Sequence, residues 1–228
     1  MREPLYDARM TSRIGGWTRS RRVGDLVAAS AGLAVLVVCG FVVRDGTVGS
    51  LELRVFHAIN GLPDALTSVM NAAQLLGVLA VGPVVAAGAL VLRRWRLAVA
   101  ALLVTAGKLV GERTVWELVQ RSRPGTTISD AVVRAGAPAS GVSFVSGHVV
   151  LVTGLAWVIT SSLRGRWRIV PWVVVAFVAF ARVYLGAHAP LDVVGGVGLG
   201  LVVGGLTNLA VGVPGADGRL RDRSDGPD

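Results

Sequence analysis

The sequence predicts an all-α protein, a bundle of six transmembrane helices with both ends of the chain on the cytoplasmic side. Of the 228 residues, 53% are hydrophobic and only 16% are charged, whereas a soluble domain carries about 25% charged residues. The apolar residues form runs of about 18 or more, which exceed the usual length of a soluble core helix. Arginines collect between these runs. Together these observations predict an integral membrane protein.

Six apolar runs along the chain are candidate spans. They cover about residues 25–43, 66–92, 97–119, 147–163, 169–185 and 191–212. Little remains for a separate soluble domain, so one membrane domain over residues 25–212 is expected. It would follow a cytoplasmic segment, residues 1–24, and precede a Gly-, Asp- and Arg-rich tail, residues 213–228, which is expected to be disordered.

The arginines predict how the spans are oriented. Fifteen of the 23 basic residues lie before the first run, after the second, after the fourth or after the sixth. If the spans alternate, these segments share one side, and the positive-inside rule makes that side cytoplasmic. The net charge of +9 is therefore explained by a multi-pass topology in the cell membrane. No nucleic-acid partner is expected, and the lipid bilayer is the expected environment.

Span three is the only run with several charges in its interior. Lys108, the only lysine of the chain, and Glu112 form one i,i+4 pair of opposite sign, and Arg113 and Glu117 form another. A charge at the bilayer centre costs at least about 2.5–3.5 kcal/mol, so such residues are candidates for function. Neutralisation along one helix face is the favoured interpretation, and a functional role stays open.

A first motif, Arg121-Ser122-Arg123-Pro124, follows span three. The proline ends the helix and holds Arg123 extended at the edge of the membrane. A guanidinium group there can bind two phosphate oxygens at once. Taken alone, such a motif at a helix end is usually an interfacial anchor.

A second motif, Ser146-Gly147-His148, begins span four. Serine is a good N-cap, and glycine allows a close approach to the backbone. The free N–H groups of the first turn and the positive end of the helix dipole attract an anion. The motif therefore predicts either a plain helix cap or an anion site with a histidine beside it.

A third motif joins spans five and six, with Arg182, His188 and Asp192 at fixed distances along the chain. A carboxylate four residues after a histidine could accept the imidazole N–H and leave the other nitrogen as the better nucleophile. Asp192 could instead favour the dipole of the helix that follows. That alternative leaves His188 and Arg182 unexplained.

On the predicted topology, all three motifs lie at the outer ends of spans three to six. Two arginines and several backbone N–H groups would hold a phosphoryl group, and two histidines would supply a nucleophile and a proton donor. Phosphoryl transfer depends mostly on positioning and charge stabilisation. The set is therefore typical of phosphoryl transfer without a metal.

In this order, the motifs resemble the signature of the type-2 phosphatidic acid phosphatase family over about residues 50–210. The resemblance implies that His188 is a nucleophile that forms a phosphohistidine, that Asp192 orients it, and that His148 protonates the leaving group. It also implies a phosphatase that needs neither a metal nor a cofactor.

The same resemblance assigns the phosphoryl oxygens to Arg123, Arg182 and the segment formed by Ser146 and Gly147. Members with six spans are lipid phosphatases, so the expected substrate is a lipid phosphate. A polyprenyl diphosphate, phosphatidate and phosphatidylglycerophosphate fit equally, with the active site on the extracytoplasmic side. The sequence gives no oligomeric state.

One departure from the family pattern matters most. The lysine that usually precedes Arg-Pro by seven residues is replaced by Trp116. Arg121 is expected to take its place as a phosphate-binding cation, ahead of Arg113, because Arg121 is nearer the outer surface. Val145 for proline and Ala181 for serine are expected to be tolerated.

Two other functions remain open. A non-catalytic phospholipid-binding protein would explain Trp116, and a transporter would explain charges in span three but lacks an inverted repeat. His57 is expected to be a surface or structural residue, with contact to a lipid headgroup as the alternative. Asp130 and Arg134 are weak candidates for substrate contact.

Overall fold

A computed structural model describes the chain from residue 8 to residue 213, with side chains described from residue 22 onward. All regular secondary structure in this part is helical, with one isolated antiparallel bridge between Ser122 and Val142. The predicted all-α class is confirmed. The predicted disordered tail lies outside the described residues apart from Val213.

Nine α-helices follow one another along the described part of the chain. They are α1 (Ala8–Val43), α2 (Ser50–Asn60), α3 (Thr67–Leu75), α4 (Val81–Val91), α5 (Trp95–Leu118), α6 (Pro124–Thr127), α7 (Gly147–Thr160), α8 (Val170–Tyr184) and α9 (Pro190–Val211). Short 3-10 helices precede α3 and α8.

Three of these segments are long and apolar enough to cross a membrane, namely Arg22–Val43, Gly165–Tyr184 and Pro190–Val211. α4 and α7 are apolar but shorter. α5 has 24 residues and holds the four charges described for span three. The helices thus lie where the apolar runs predict them, while the count of six spans and the side of each chain end stay predictions.

Two parts of the expected layout differ. The single span expected over 66–92 is divided into α3 and α4 by a turn that contains Gly77. A Cβ on Gly77 would lie 2.7 Å from the Cβ of His148, so the turn brings the backbone against that histidine. α2 was expected as an outer loop. It buries Glu52, Phe56 and Asn60, which share one face because they are four residues apart.

α9 lies at the centre of the bundle, between α1 and α7. A Cβ on Gly32 of α1 would lie 2.5 Å from the carbonyl oxygen of Gly198, and one on Gly200 would lie 2.8 Å from that of Val150 in α7. Glycines at these crossings let the helix backbones touch, as in other membrane bundles. On its outer side α1 exposes large apolar residues such as Phe41, which a lipid environment would cover.

A polar contact joins the same three helices toward the end that is predicted to be cytoplasmic. The carboxylate of Asp25 in α1 accepts hydrogen bonds from Trp157 Nε1 of α7 at 2.8 Å and from Asn208 Nδ2 of α9 at 3.1 Å. Buried polar groups are stable only with such partners. The contact therefore fixes the register of α1 against the centre of the bundle.

We expect Gly32→Ala to destabilise the protein, because its methyl group would overlap the carbonyl of Gly198. Overpacking of this kind costs about 1–3 kcal/mol. The control is Gly24→Ala in the same helix, where a Cβ meets nothing within 4 Å and the gain in helix propensity is the same. Thermal unfolding in detergent should show a lower midpoint for the first variant only. Equal midpoints would contradict the close crossing.

Candidate active site

A cavity of about 400 Å³ opens between α3, α5, the start of α7, the end of α8 and the loop that joins α8 to α9. Its charged and titratable lining residues are Lys108, Glu112, Arg123, His148, Arg182 and His188. Residues from all three sequence motifs therefore meet at one place. Ser146, Asp192 and Arg121 lie outside the lining.

His188 lies between α8 and α9 and is only 3% exposed. Its Nδ1 is 2.9 Å from the carbonyl oxygen of Ser143. A carbonyl can only accept, so Nδ1 carries the proton and Nε2 keeps its lone pair. Arg123 Nη1 lies 3.4 Å from Nε2. The nitrogen without a proton therefore borders the cavity beside a guanidinium group.

Burial lowers the pKa of His188 to about 4, although the nearby carboxylate of Asp192 acts in the opposite direction. A histidine with this pKa is neutral at pH 7. Its Nε2 is then available as a nucleophile instead of being blocked by a proton.

Asp192 is fully buried in the first turn of α9. Its Oδ2 is 3.8 Å from His188 Nδ1, which is too long for a hydrogen bond. Oδ2 instead accepts from the backbone N–H of Ala189 at 2.8 Å and from the Ser143 hydroxyl. The expected direct hydrogen bond between Asp192 and the imidazole is therefore replaced by an indirect link through Ser143. Asp192 holds Ser143, and the carbonyl of Ser143 orients His188.

Arg121 does not occupy the place that the sequence predicted. It is 1% exposed, and its Nη1 donates to Asp192 Oδ1 at 2.8 Å. Nη1 and Nη2 also donate to the carboxylate of Glu52 at 3.0 and 2.7 Å. The guanidinium group is thus used by two buried carboxylates, and the expectation that Arg121 binds phosphate is wrong. α5 ends at Leu118, and the extended chain after it turns Arg121 toward α2.

Glu52 is a site residue that sequence reasoning missed. Besides Arg121, its Oε1 accepts from the backbone N–H of Leu191 at 2.9 Å. It therefore joins α2 to both Arg121 and the start of α9. The available signal was an acidic residue between two leucines, outside the candidate spans. We refer to Glu52, Arg121, Ser143 and Asp192 as the Asp192 cluster.

The other two arginines face the cavity with donors to spare. Arg123 Nη1 donates to the carbonyl of Ala187 at 2.8 Å, and Arg182 Nη1 donates to the side-chain oxygen of Gln74. The Nε of each is buried and has no hydrogen-bond partner among the described residues. Such a donor is available to an acceptor that a ligand or a water molecule brings.

The second motif begins α7. Ser146 is the N-cap by position, but its buried hydroxyl makes no cap hydrogen bond. A Cβ on Gly147 would lie 2.1 Å from Glu112 Oε1, so a side chain has no room there. The His148 ring lines the cavity and packs against Gly77. The free backbone N–H groups of the first turn of α7 thus lie at the same cavity as His148 and His188.

The remaining candidates lie apart from the cavity. The Arg113 side chain is 84% exposed and pairs with Glu117 at 3.7 Å, so it does not replace the missing lysine. His57 pairs with Asp130 at 3.1 Å on the surface. Arg134 donates to the carbonyls of Asn60, Leu62 and Tyr184 and to Asp64, so it anchors a loop.

Comparison with known proteins finds relatives of this chain. A family model described as the PAP2 superfamily matches residues 95–213, just over half of the chain. The lipid A 4′-phosphatase of Porphyromonas gingivalis is 38% identical over 64 residues, which make up 27% of this chain and 26% of that protein. The chain thus matches about a quarter of that relative's length. The resemblance that the motifs indicated is confirmed.

Two solved structures share the fold. The crystal structure of LpxE from Aquifex aeolicus superposes with a TM-score of 0.56 at 20% identity, covering 70% of this chain and 95% of that one. The transmembrane PAP2 type phosphatidylglycerolphosphate phosphatase from Bacillus subtilis gives 0.59 at 21% identity, covering 78% and 94%. At these identities the likeness establishes the helical architecture.

We expect Arg121→Leu to destabilise the protein strongly, because it leaves Glu52 and Asp192 buried without a cation. Removing one partner of a buried ion pair costs about 3–5 kcal/mol. The control is Arg113→Leu, which breaks an exposed pair worth about 1 kcal/mol or less. Thermal unfolding in detergent measures both variants. A midpoint for Arg121→Leu close to that of the control would show that the cluster does not hold the fold.

Proposed function

This chain belongs to the PAP2 superfamily, and from that premise we propose that it is an integral membrane phosphatase that hydrolyses a lipid phosphate. The observation that supports this most directly is the setting of His188. Its Nε2 keeps a lone pair at the edge of the cavity, and two arginines border the same space. A neutral imidazole nucleophile between cations suits attack on a phosphoryl group.

In the proposed first step, His188 Nε2 attacks phosphorus and forms an N–P bond while the bond from phosphorus to the lipid oxygen breaks. Beside the negatively charged phosphate His148 is protonated, and it donates that proton to the departing oxygen. The Nδ1 proton of His188 stays on the hydrogen bond to the Ser143 carbonyl. The phosphorylated ring is then cationic, and the Asp192 carboxylate 3.8 Å away stabilises that charge.

In the second step, a water molecule attacks the phosphohistidine. His148, now neutral, takes a proton from the water as the N–P bond breaks and inorganic phosphate forms. Both histidines return to their starting states, so the cycle closes without a cofactor.

Charge stabilisation comes from the arginines. As the phosphoryl group moves from lipid to histidine, negative charge is spread over its equatorial oxygens. The unpartnered Nε–H groups of Arg123 and Arg182, both buried at the cavity, are preorganised donors for those oxygens. The N–H groups at Gly147, where α7 begins, add further donors.

The proposed substrate is a phosphomonoester or diphosphate of a lipid, such as a polyprenyl diphosphate, phosphatidate or phosphatidylglycerophosphate. Relatives named for lipid A and phosphatidylglycerolphosphate support this class. The distribution of arginines supports an active site on the extracytoplasmic side of the cell membrane. A catalytically weak or non-catalytic lipid-binding protein is the second candidate, because Trp116 stands where the family has lysine.

We expect His188→Ala to abolish phosphate release without unfolding the protein, because it removes the atom that attacks phosphorus. Phosphate release from the three lipid phosphates would be measured on detergent-purified protein. His57→Ala is the matched control, since that histidine lies on the surface. Appreciable turnover by His188→Ala would exclude the proposed nucleophile. Inactivity of the wild type toward all three lipids would favour the non-catalytic alternative.

We expect a chelator to leave wild-type turnover unchanged, because the proposed steps use only side chains and backbone N–H groups. Turnover would be measured with and without the chelator, and again after addition of a divalent metal. A loss that added metal restores would mean that the mechanism is wrong.

A further inference from the structure

Lys108 and Glu112 form an ion pair at the cavity that has no role in the proposed mechanism. Both lie on α5, one turn apart, and line the cavity together with Trp116 one turn further on. The spacing of four residues places the three side chains on one face of the helix. The Lys108 side chain is 14% exposed and pairs directly with Glu112. This face of α5 thus forms one wall of the cavity.

The Glu112 carboxylate lies at the N-terminus of α7, in the position that a bound anion would take. Its Oε1 lies 2.1 Å from the position that a Cβ on Gly147 would take, directly beside the first turn of the helix. Helix N-termini bind anions through their free N–H groups. The buried, unpartnered Nε of Arg182 borders the same cavity. The protein without substrate therefore holds a carboxylate of its own beside its phosphate donors.

Trp116 contributes a donor to the same wall but no charge. Its Nε1 is buried and has no hydrogen-bond partner among the described residues. An indole N–H can donate to a phosphate oxygen but cannot balance its charge. Of the cations considered as replacements, Arg121 is held by two carboxylates and Arg113 is exposed. Lys108 is the cation of α5 that lines the cavity.

We propose that Lys108 is a phosphate-binding residue and that Glu112 is its built-in competitor, so that substrate phosphate displaces the Glu112 carboxylate from Lys108. The proposal rests on the proposed function, because it names the cation that the first motif lacks. Before binding, Glu112 neutralises Lys108. When phosphate enters, Lys108 moves from the carboxylate to a phosphoryl oxygen, and Trp116 Nε1 donates to the same group.

Substitution of Glu112 and substitution of Lys108 should then change the affinity for phosphate in opposite directions. Glu112→Gln frees Lys108 and removes a negative charge from the cavity, so inorganic phosphate should bind about tenfold more tightly or better. Lys108→Met removes the cation, so binding should weaken by a similar factor. A purely structural pair would behave differently, because loss of either partner would leave phosphate affinity unchanged or lower.

The experiment is isothermal titration calorimetry, in which inorganic phosphate is added to detergent-purified full-length protein and the dissociation constant is measured. The matched controls are Glu117→Gln and Arg113→Met, which make the same changes in the exposed i,i+4 pair of α5. Both should leave the dissociation constant unchanged. Because no turnover is measured, the result does not depend on whether His188→Ala is inactive.

The double variant Lys108→Met/Glu112→Gln guards against misfolding, since it leaves neither charge unpaired. It should bind phosphate more weakly than Glu112→Gln, because the lysine that the glutamate substitution frees is then missing. Tight binding by Glu112→Gln alone, with none detectable in the wild type, would also support the proposal. Weaker or unchanged binding by Glu112→Gln, full affinity in Lys108→Met, or no binding by either wild type or Glu112→Gln would overturn it.

Discussion

The rest of the site depends on how the charge of one buried carboxylate, that of Asp192, is stabilised. Asp192 has no exposed surface, and an isolated ion in such a place would be strongly destabilising. Arg121, the Ser143 hydroxyl and the backbone N–H of Ala189 satisfy it. Through these contacts the chain after α5, the loop before α7 and the start of α9 are all held at one point.

The Asp192 cluster brings together charged residues that lie far apart in the chain. Two carboxylates, Glu52 and Asp192, share Arg121, and Glu52 further fixes the backbone of Leu191. The result is a rigid support behind His188, whose ring is oriented by a main-chain carbonyl. Positioning of this kind favours phosphoryl transfer, which depends more on geometry than on covalent chemistry by the protein.

Much of the fold and several of the site residues could be predicted from the sequence, because hydropathy and short motifs are local signals. Helices appear where apolar runs are long, and the three motifs bring Arg123, His148 and His188 to one cavity. The family match over residues 95–213 confirms the resemblance that these motifs indicated.

The sequence-based expectations that failed concern the direction in which a side chain points and its contacts with distant parts of the chain. Whether Arg121 points into the cavity or toward α2 depends on how the chain turns after Leu118, and no local pattern encodes that turn. Glu52 has a role only because a partner 69 positions away reaches it. The i,i+4 pair of Lys108 and Glu112 was expected to be self-contained on its helix. Which helix face meets the cavity is set by packing, so the sequence could not show that this pair borders the phosphate donors.

The pair on α5 also bears on how the protein is made. As a predicted span, α5 must enter the bilayer with a lysine well inside it, and such a charge costs about 2.5–3.5 kcal/mol or more on insertion. Glu112 is one turn away on the same helix, so neutralisation is available within α5 itself, before α7 and α9 pack against it. The carboxylate that shields the lysine in the finished protein would thus also accompany it through membrane insertion.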